Sequence, residues 1–335
     1  MTWGVLDRLL EDERLAIRAI SGTSAGAMNA VALADGMSRG GRDGAREALK
    51  AFWKAVSDQA RFSPIQRSPL DRLVGNYSLD TSPSYLFFEG LTRMFSPYDL
   101  NPAGFNPLRR LLDEMIDFDR VNAQTELAVH VTATNVRTGR SRVFGPGEVS
   151  RDAVLASACL PQMFPAVEID GEAYWDGGFS GNPALYPLLT SREAPDILVV
   201  QINPIVREDL PRTARDIMNR VNEISFNSSL VKELRAIGLM QRVAAERGID
   251  LGVYTHTYLH LIHTELVVKD LVASSKLNAE WTYLRLLFDL GRSWADSWLE
   301  ENFEAIGHRS TLDLDDLEGG ARLPPPGQTD RPAAE

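Results

Sequence analysis

The sequence predicts an α/β sandwich built around a mostly parallel sheet, on three observations. Short β-prone runs alternate with longer helical ones along most of the chain, as a sheet with helical crossovers requires. The run 196–202, Asp-Ile-Leu-Val-Val-Gln-Ile, is apolar on successive residues, as in a central strand covered on both faces. Residues 18–34 read as strand, sharp turn and helix, with Ser24 at the apex and small residues around it.

In chain order, 2–11 reads as a helix with Val5, Leu6, Leu9 and Leu10 on one face and Asp7, Arg8 and Glu11 opposite. A strand covers 16–21. The helix from Ala25 is expected to end near Gly36, a good C-cap residue, with Gly40-Gly41 and Gly44 marking a loop before a second helix over 45–56. Residues 61–107 change character, with six prolines (64, 69, 83, 97, 102, 107) punctuating a run of aromatics. Two readings stay open: a cap over an apolar substrate, or a loop-rich insertion pinned by its aromatics. A helix over 108–116 precedes a strand at 127–135 and a hairpin partner at 141–144. The helix beginning at Asp152 must end before Pro161. A hairpin over 167–169 and 173–175 leads into the turn Asp176-Gly177-Gly178. Beyond 196–202 come a long helical stretch (212–247), a short strand (258–263) and an amphipathic helix over 279–303 rich in tryptophan. A single domain is expected over 1–310, with an acidic, then Pro/Gly-rich, disordered tail from 311.

The totals bound the function. The chain has 335 residues, enough for a large core. A net charge of −11 argues against nucleic acid as the main partner. The single cysteine, Cys159, excludes an internal disulfide framework and suits a reducing compartment, so a cytoplasmic protein is expected. No apolar run is long enough to span a bilayer, which leaves peripheral contact as the form a membrane association would take. Tight ligand spacing is missing around His130, His256, His260, His263 and His308, so no metal or cofactor is implied. Arg137, Arg140 and Arg142 read as a solvated hairpin face, and the tryptophans of 281–298 as core. Oligomeric state is not legible.

The chemistry centres on Gly22-x-Ser24-x-Gly26. In this pattern a strained turn pushes a serine Oγ out of the backbone, and the following helix aims free N–H groups at whatever sits on it. A Cβ at Gly22 or Gly26 is expected to crowd strand against helix. A serine hydroxyl is a weak nucleophile and needs a base in reach and donors for the oxyanion. Ser24, Asp176 and one of His256, His260 or His263 would follow the α/β-hydrolase order of serine, acid, histidine. Position argues against that order, because the elbow comes almost at the start of the chain, with no room for the preceding strands. The alternative base is Asp176 itself.

Three blocks now carry a resemblance. They are residues 4–11 leading into Ile20-Ser21-Gly22-Thr23-Ser24-Ala25-Gly26-Ala27; Ala156-Ser157-Ala158-Cys159-Leu160-Pro161-Gln162-Met163-Phe164-Pro165; and Tyr174-Trp175-Asp176-Gly177-Gly178-Phe179-Ser180-Gly181-Asn182-Pro183. Together they resemble the patatin-like phospholipase family over most of the chain. The resemblance implies a three-layer α/β/α fold. It also implies a Ser24–Asp176 dyad, and lipid acyl-ester hydrolysis through an acyl-serine. Family members begin with a strand and a Gly-rich oxyanion loop, whereas this sequence starts inside the helix that follows them. The expectation is a start site placed too late, with Ala25 and Gly26 as the remaining oxyanion donors. Two further readings stand beside this one: a lipid-binding relative that does not turn its ligand over, and a Ser-Asp-His esterase.

Overall fold

A computed structural model describes residues 1–63, 65–191, 194–207, 210–263, 275 and 277–313. The N-terminal helix α1 (Thr2–Glu11) buries Val5, Leu6, Leu9 and Leu10, the face its spacing predicts. Strand β1 (Ala19–Gly22) then runs into the turn at Ser24 and the long helix α2 (Ala25–Ala60). The reversal inside α2 falls at Gly40 and Gly41, where Gly41 has φ +61°, and not at Gly36. Gly36 instead lets the two arms touch: a Cβ there would lie 2.4 Å from the Gly44 carbonyl oxygen and 2.6 Å from the Ala48 Cβ.

Among the described residues the insertion holds three helices, α3 (Pro69–Leu73), α4 (Pro83–Met94) and α5 (Pro97–Leu100), and α6 (Pro107–Met115) leads out of it. Each begins with a proline behind a capping Ser68, Ser82, Ser96 or Asn106, whose side chain accepts a backbone N–H of the first turn. These prolines therefore start helices, because the missing N–H falls where no intrahelical bond would form. A short helix α7 (Phe118–Asn122) follows.

The main sheet also contains β2 (Ala128–Asn135), β3 (Ser141–Phe144), β4 (Val167–Ile169) and β5 (Glu172–Asp176). Its order is β1-β2-β5-β4, with β3 pairing with β2 as well. β1 and β2 run parallel; β2 is antiparallel to β3 and β5, and β4 to β5. The β4–β5 hairpin turns on Asp170 and Gly171, at φ 53° and 78°, the left-handed pair that a tight Asp-Gly hairpin uses. Helix α8 (Arg151–Ser157) packs with α2 against β2, around Leu33, Phe52, Val131 and Val154.

A second sheet pairs β6 (Asp196–Val200) and β7 (Tyr258–Ile262) in parallel. The run at 196–202 is thus a parallel strand, but not one of the main sheet. The flank of β1 is held instead by the 181–184 segment: the Ser21 hydroxyl donates to the Ala184 carbonyl (2.7 Å) and the Thr23 hydroxyl to the Gly181 carbonyl (2.7 Å). Helices α9 (Tyr186–Ser191) and α10 (Ala214–Arg247) cover the second sheet through Leu189, Leu230 and Leu234, together with Leu185 just before α9. Helix α11 (Trp281–Asn302) lies along α1 so closely that a Cβ on Gly4 would fall 2.0 Å from the Phe288 carbonyl oxygen. The Trp3 ring sits 4.2 Å from Phe288 and 5.8 Å from Trp281, which places this aromatic face in the core.

The chain remains docked beyond 311, where a tail was expected to start. The Thr311 and Leu312 amides both donate to the Leu259 carbonyl (3.0 Å each). The remainder of the expected tail, 314–335, lies outside the described residues.

Candidate active site

Ser24 sits at φ 55°, ψ −119°, in the left-handed half of backbone space that a non-glycine residue adopts only under constraint. It caps α2 without a side-chain capping bond. Gly22 makes this turn possible: a Cβ there would meet the Gly26 carbonyl oxygen at 2.4 Å and the Ala27 nitrogen at 2.7 Å. Gly26 differs from expectation, since a Cβ there has nothing within 4 Å. The strand-side glycine carries the close approach alone, because the α2 backbone passes over Gly22 while the Gly26 α-carbon faces open space.

Asp176 ends β5 and is 2 % exposed. Its Oδ1 accepts the Gly178 N–H at 2.7 Å. Gly177 is packed too tightly for a side chain, with a Cβ falling 2.1 Å from the Thr132 carbonyl oxygen and 2.9 Å from Thr23 Cγ2. The Asp-Gly-Gly turn therefore lies directly against the residue before Ser24. The register gives the same placement: Gly22 pairs with Val131, and Ala133 pairs with Asp176. β1 thus ends opposite Val131 and β5 opposite Ala133, so the turn that carries Ser24 and the turn that follows Asp176 leave the two flanks of β2 within two residues of each other.

One short block ties the two sides together. The Ser24 amide donates to the Ser157 hydroxyl at 2.9 Å. The Asp176 amide donates to the Cys159 carbonyl at 2.8 Å. Residues 157 and 159 thus hold the backbone at both candidate residues from the end of α8. Thr134 adds a second support, donating from its hydroxyl to the Asp176 carbonyl at 2.8 Å. Sequence reading missed Ser157 and Thr134 as positioning groups. The Ala-Ser-x-x-x-Pro block was the available signal, and only the folded chain shows which residues it touches. Cys159 itself is fully buried, and burial pushes its thiol up to about 12.

The amides of the turn are unequal. Ser24's is engaged by Ser157, and Gly26's donates to the Thr23 carbonyl at 2.8 Å. Among the described residues the Ala25 amide has no such acceptor, and Ala25 is exposed. The expected pair of oxyanion donors reduces to Ala25 N–H, since the turn that lifts Ser24 is closed by the Gly26 amide.

The C-terminal histidines have partners of their own. His260 is buried on β7, with Nε2 3.0 Å from Asp196 Oδ1, Nδ1 3.0 Å from Thr311 Oγ1 and its ring edge-on to Trp298. His256 pairs with Asp250 at 3.3 Å on the surface. Both sets of partners lie in the second-sheet half of the chain. A cleft of about 210 Å³ opens beside α8, between Leu155, Phe164 and the insertion residues Gly104 and Asn106. Tyr98 of the insertion reaches the same region, its hydroxyl accepting the Ala166 N–H at 3.2 Å. Neither this cleft nor a larger hollow of about 430 Å³ at the bend of α2 is lined by Ser24 or Asp176.

The family model described as patatin-like phospholipase matches residues 1–189, a stretch that contains α1, the Ser24 turn, the whole main sheet and the Asp176 turn. A search of the curated proteins finds no match.

Proposed function

Because the chain belongs to the patatin-like phospholipase family, we propose that it hydrolyses acyl esters of lipids with Ser24 as nucleophile and Asp176 as proton acceptor. The observation that carries this reading is the elbow: a serine forced to positive φ at a strand-to-helix turn, with a buried carboxylate ending the strand on the other flank of β2. Ser24 Oγ attacks the ester carbonyl carbon, and Asp176 takes the hydroxyl proton. The resulting oxyanion is stabilised by the Ala25 N–H and the N-terminal end of α2. Collapse expels the alcohol, which recovers the proton from Asp176. Water, deprotonated by the same carboxylate, then bonds to the acyl carbon; the bond to Ser24 Oγ breaks, Asp176 returns its proton to Oγ, and the acyl chain leaves as the acid, which ionises in solvent. Gly178 N–H keeps the Asp176 carboxyl aimed, and Ser157 keeps the turn in place. The insertion at 61–107 acts as the cap, with Tyr98 binding the Ala166 amide from it.

The test is covalent labelling with a fluorophosphonate probe, which reacts only with an activated serine. The parent chain should label, Ser24→Ala should abolish labelling, and Asp176→Asn should slow it by about a hundredfold or more. Labelling that persists in Ser24→Ala overturns the assignment.

A further inference from the structure

We propose that Thr23 is a positioning residue for the ester hydrolysis described above, its hydroxyl setting the aim of the Asp176 carboxylate from within the turn that lifts Ser24; the inference rests on that reading. Thr23 is buried and immediately precedes Ser24. Its backbone serves the Ser24 turn: the Thr23 carbonyl accepts the Gly26 N–H at 2.8 Å, the bond that closes the turn. Its side chain serves the other turn: the hydroxyl donates to the Gly181 carbonyl at 2.7 Å, in a buried contact.

From Gly181 the connection runs on to Asp176. The Gly181 N–H donates to the Gly177 carbonyl at 2.8 Å, and the Ser180 N–H to the same oxygen at 3.0 Å. That oxygen belongs to the peptide unit joining Gly177 to Gly178. The N–H at the other end of the same planar unit donates to Asp176 Oδ1 at 2.7 Å. A planar peptide held at its oxygen does not tilt its N–H independently, so fixing Gly181 fixes the donor that aims the carboxylate. Thr23 Cγ2 closes the space from the same side, 2.9 Å from where a Cβ on Gly177 would lie. The tie thus leaves from the residue beside the nucleophile and ends, through Gly181 and Gly177, on the donor to the proposed base.

A second threonine separates this tie from packing. Thr132 of β2 lies against the same loop, its carbonyl oxygen beside Gly177 and its Cγ2 3.0 Å from where a Cβ on Gly181 would lie. It is fully buried, yet among the described residues its hydroxyl has no partner. Two threonines therefore pack on one loop, and the hydroxyl of Thr23 is the one bonded to it. Exchanging hydroxyl for methyl at nearly constant shape takes the donor from the buried Gly181 carbonyl in Thr23→Val and breaks no bond in Thr132→Val.

The measurement is the fluorophosphonate labelling rate of the folded full chain, with urea denaturation of each variant beside it. Thr23→Val should slow labelling by about tenfold or more, because serine and carboxylate are no longer held by one residue. Thr23→Ser keeps the donor and loses the methyl against Gly177, so it should lower the urea midpoint yet label within about twofold of the parent. Thr132→Val should label like the parent. A Thr23→Val chain that labels at the parent rate, a Thr132→Val chain slowed as far, or rates that simply follow the urea midpoints overturns the proposal, since each reduces Thr23 to packing. Amide hydrogen exchange of the full chain carrying Ser24→Ala reads the same tie without the reaction. There Thr23→Val should speed exchange over 177–181 by about tenfold while Thr132→Val leaves it unchanged, and unchanged exchange in Thr23→Val overturns the tie. A parent chain that does not label sinks the hydrolase reading and with it the catalytic use of Thr23, while the exchange result stands by itself.

Discussion

Replacing the two motif glycines by alanine separates two causes that the sequence pattern presents as one. In Gly22→Ala the new Cβ falls 2.4 Å from the Gly26 carbonyl oxygen, where an ordinary contact is 3.4 Å or more. The start of α2 must therefore recede by about 1 Å, and the obstructing atoms are backbone, which has no rotamer to escape into. Overpacking of this kind costs about 1–3 kcal/mol. The displacement also lands on Ser24, and a shift of that size in a reacting group costs on the order of a hundredfold in rate. Gly26→Ala adds a Cβ into space with nothing within 4 Å, on a residue already in a helix. Relative to glycine, alanine there stabilises by about 0.5–1 kcal/mol. Urea denaturation of the two variants, with the fluorophosphonate labelling rate of Gly22→Ala, reads both effects. Gly22→Ala should have a lower urea midpoint and a labelling rate reduced by about a hundredfold, whereas Gly26→Ala should have a raised midpoint. Equal losses of stability in the two variants, or a neutral Gly22→Ala, would refute the assignment of the close approach to Gly22 alone.

Ser157→Ala removes the acceptor of the Ser24 N–H and should cost about 1–3 kcal/mol in urea denaturation while slowing labelling; an unchanged labelling rate would show that the elbow does not need this support. The Cys159 thiol, pushed up to about 12, should resist iodoacetamide in the native chain at pH 8 and react only on unfolding, which mass spectrometry reads; rapid native alkylation would contradict its burial. His260→Phe should lower the melting temperature, because it leaves Asp196 and Thr311 without their ring partner, yet preserve fluorophosphonate labelling; loss of labelling in a folded variant would revive a histidine base. Burial raises the carboxyl of Glu233 above its ordinary 4.5, so its ionised form is disfavoured in the native chain. It imposes no penalty below 4.5, where it is protonated both folded and unfolded, and lowers stability as pH rises through the interval above 4.5. Glu233→Gln keeps an oxygen for the Leu185 and Tyr186 amides, so it should stabilise the chain at pH 7 and lose that advantage at pH 4; the opposite trend in urea midpoints would refute the sign.

Local signals carried most of the elements. The α1 face follows from apolar spacing, the β4–β5 turn from Asp170-Gly171, and the elbow from Gly22-x-Ser24. Signals with two physical meanings misled. A glycine after an Ala-rich helix can cap it or admit a neighbour, and Gly36 does the second, because Ala48 and the Gly44 carbonyl sit where its Cβ would be. The prolines of 61–107, by contrast, punctuate the short helices expected there, which Ser68, Ser82, Ser96 and Asn106 begin by capping. An apolar run such as 196–202 specifies burial on both faces but not its neighbours. The hydroxyls of Ser21 and Thr23 settle that question, holding 181–184 along β1 in a way no run of hydropathy encodes.

The site shows the same limit in a sharper form. Ser24 and Asp176 are separated by about 150 residues, and each is conspicuous for a local reason: a small-residue turn and an Asp-Gly-Gly turn. What brings the two turns to the same part of β2 is a register, Gly22 on Val131 and Ala133 on Asp176, and that register is a property of β2, whose sequence carries no catalytic signal. The register alone would leave both turns free to shift along their strands. Ser157 and Cys159 remove that freedom by binding one amide on each side. A block legible only as a family likeness is thus, physically, the brace between the Ser24 turn and the Asp176 turn. Its small residues follow from that position: Ala156, Ser157 and Cys159 are all fully buried between the two turns they hold, where a larger side chain would push the turns apart.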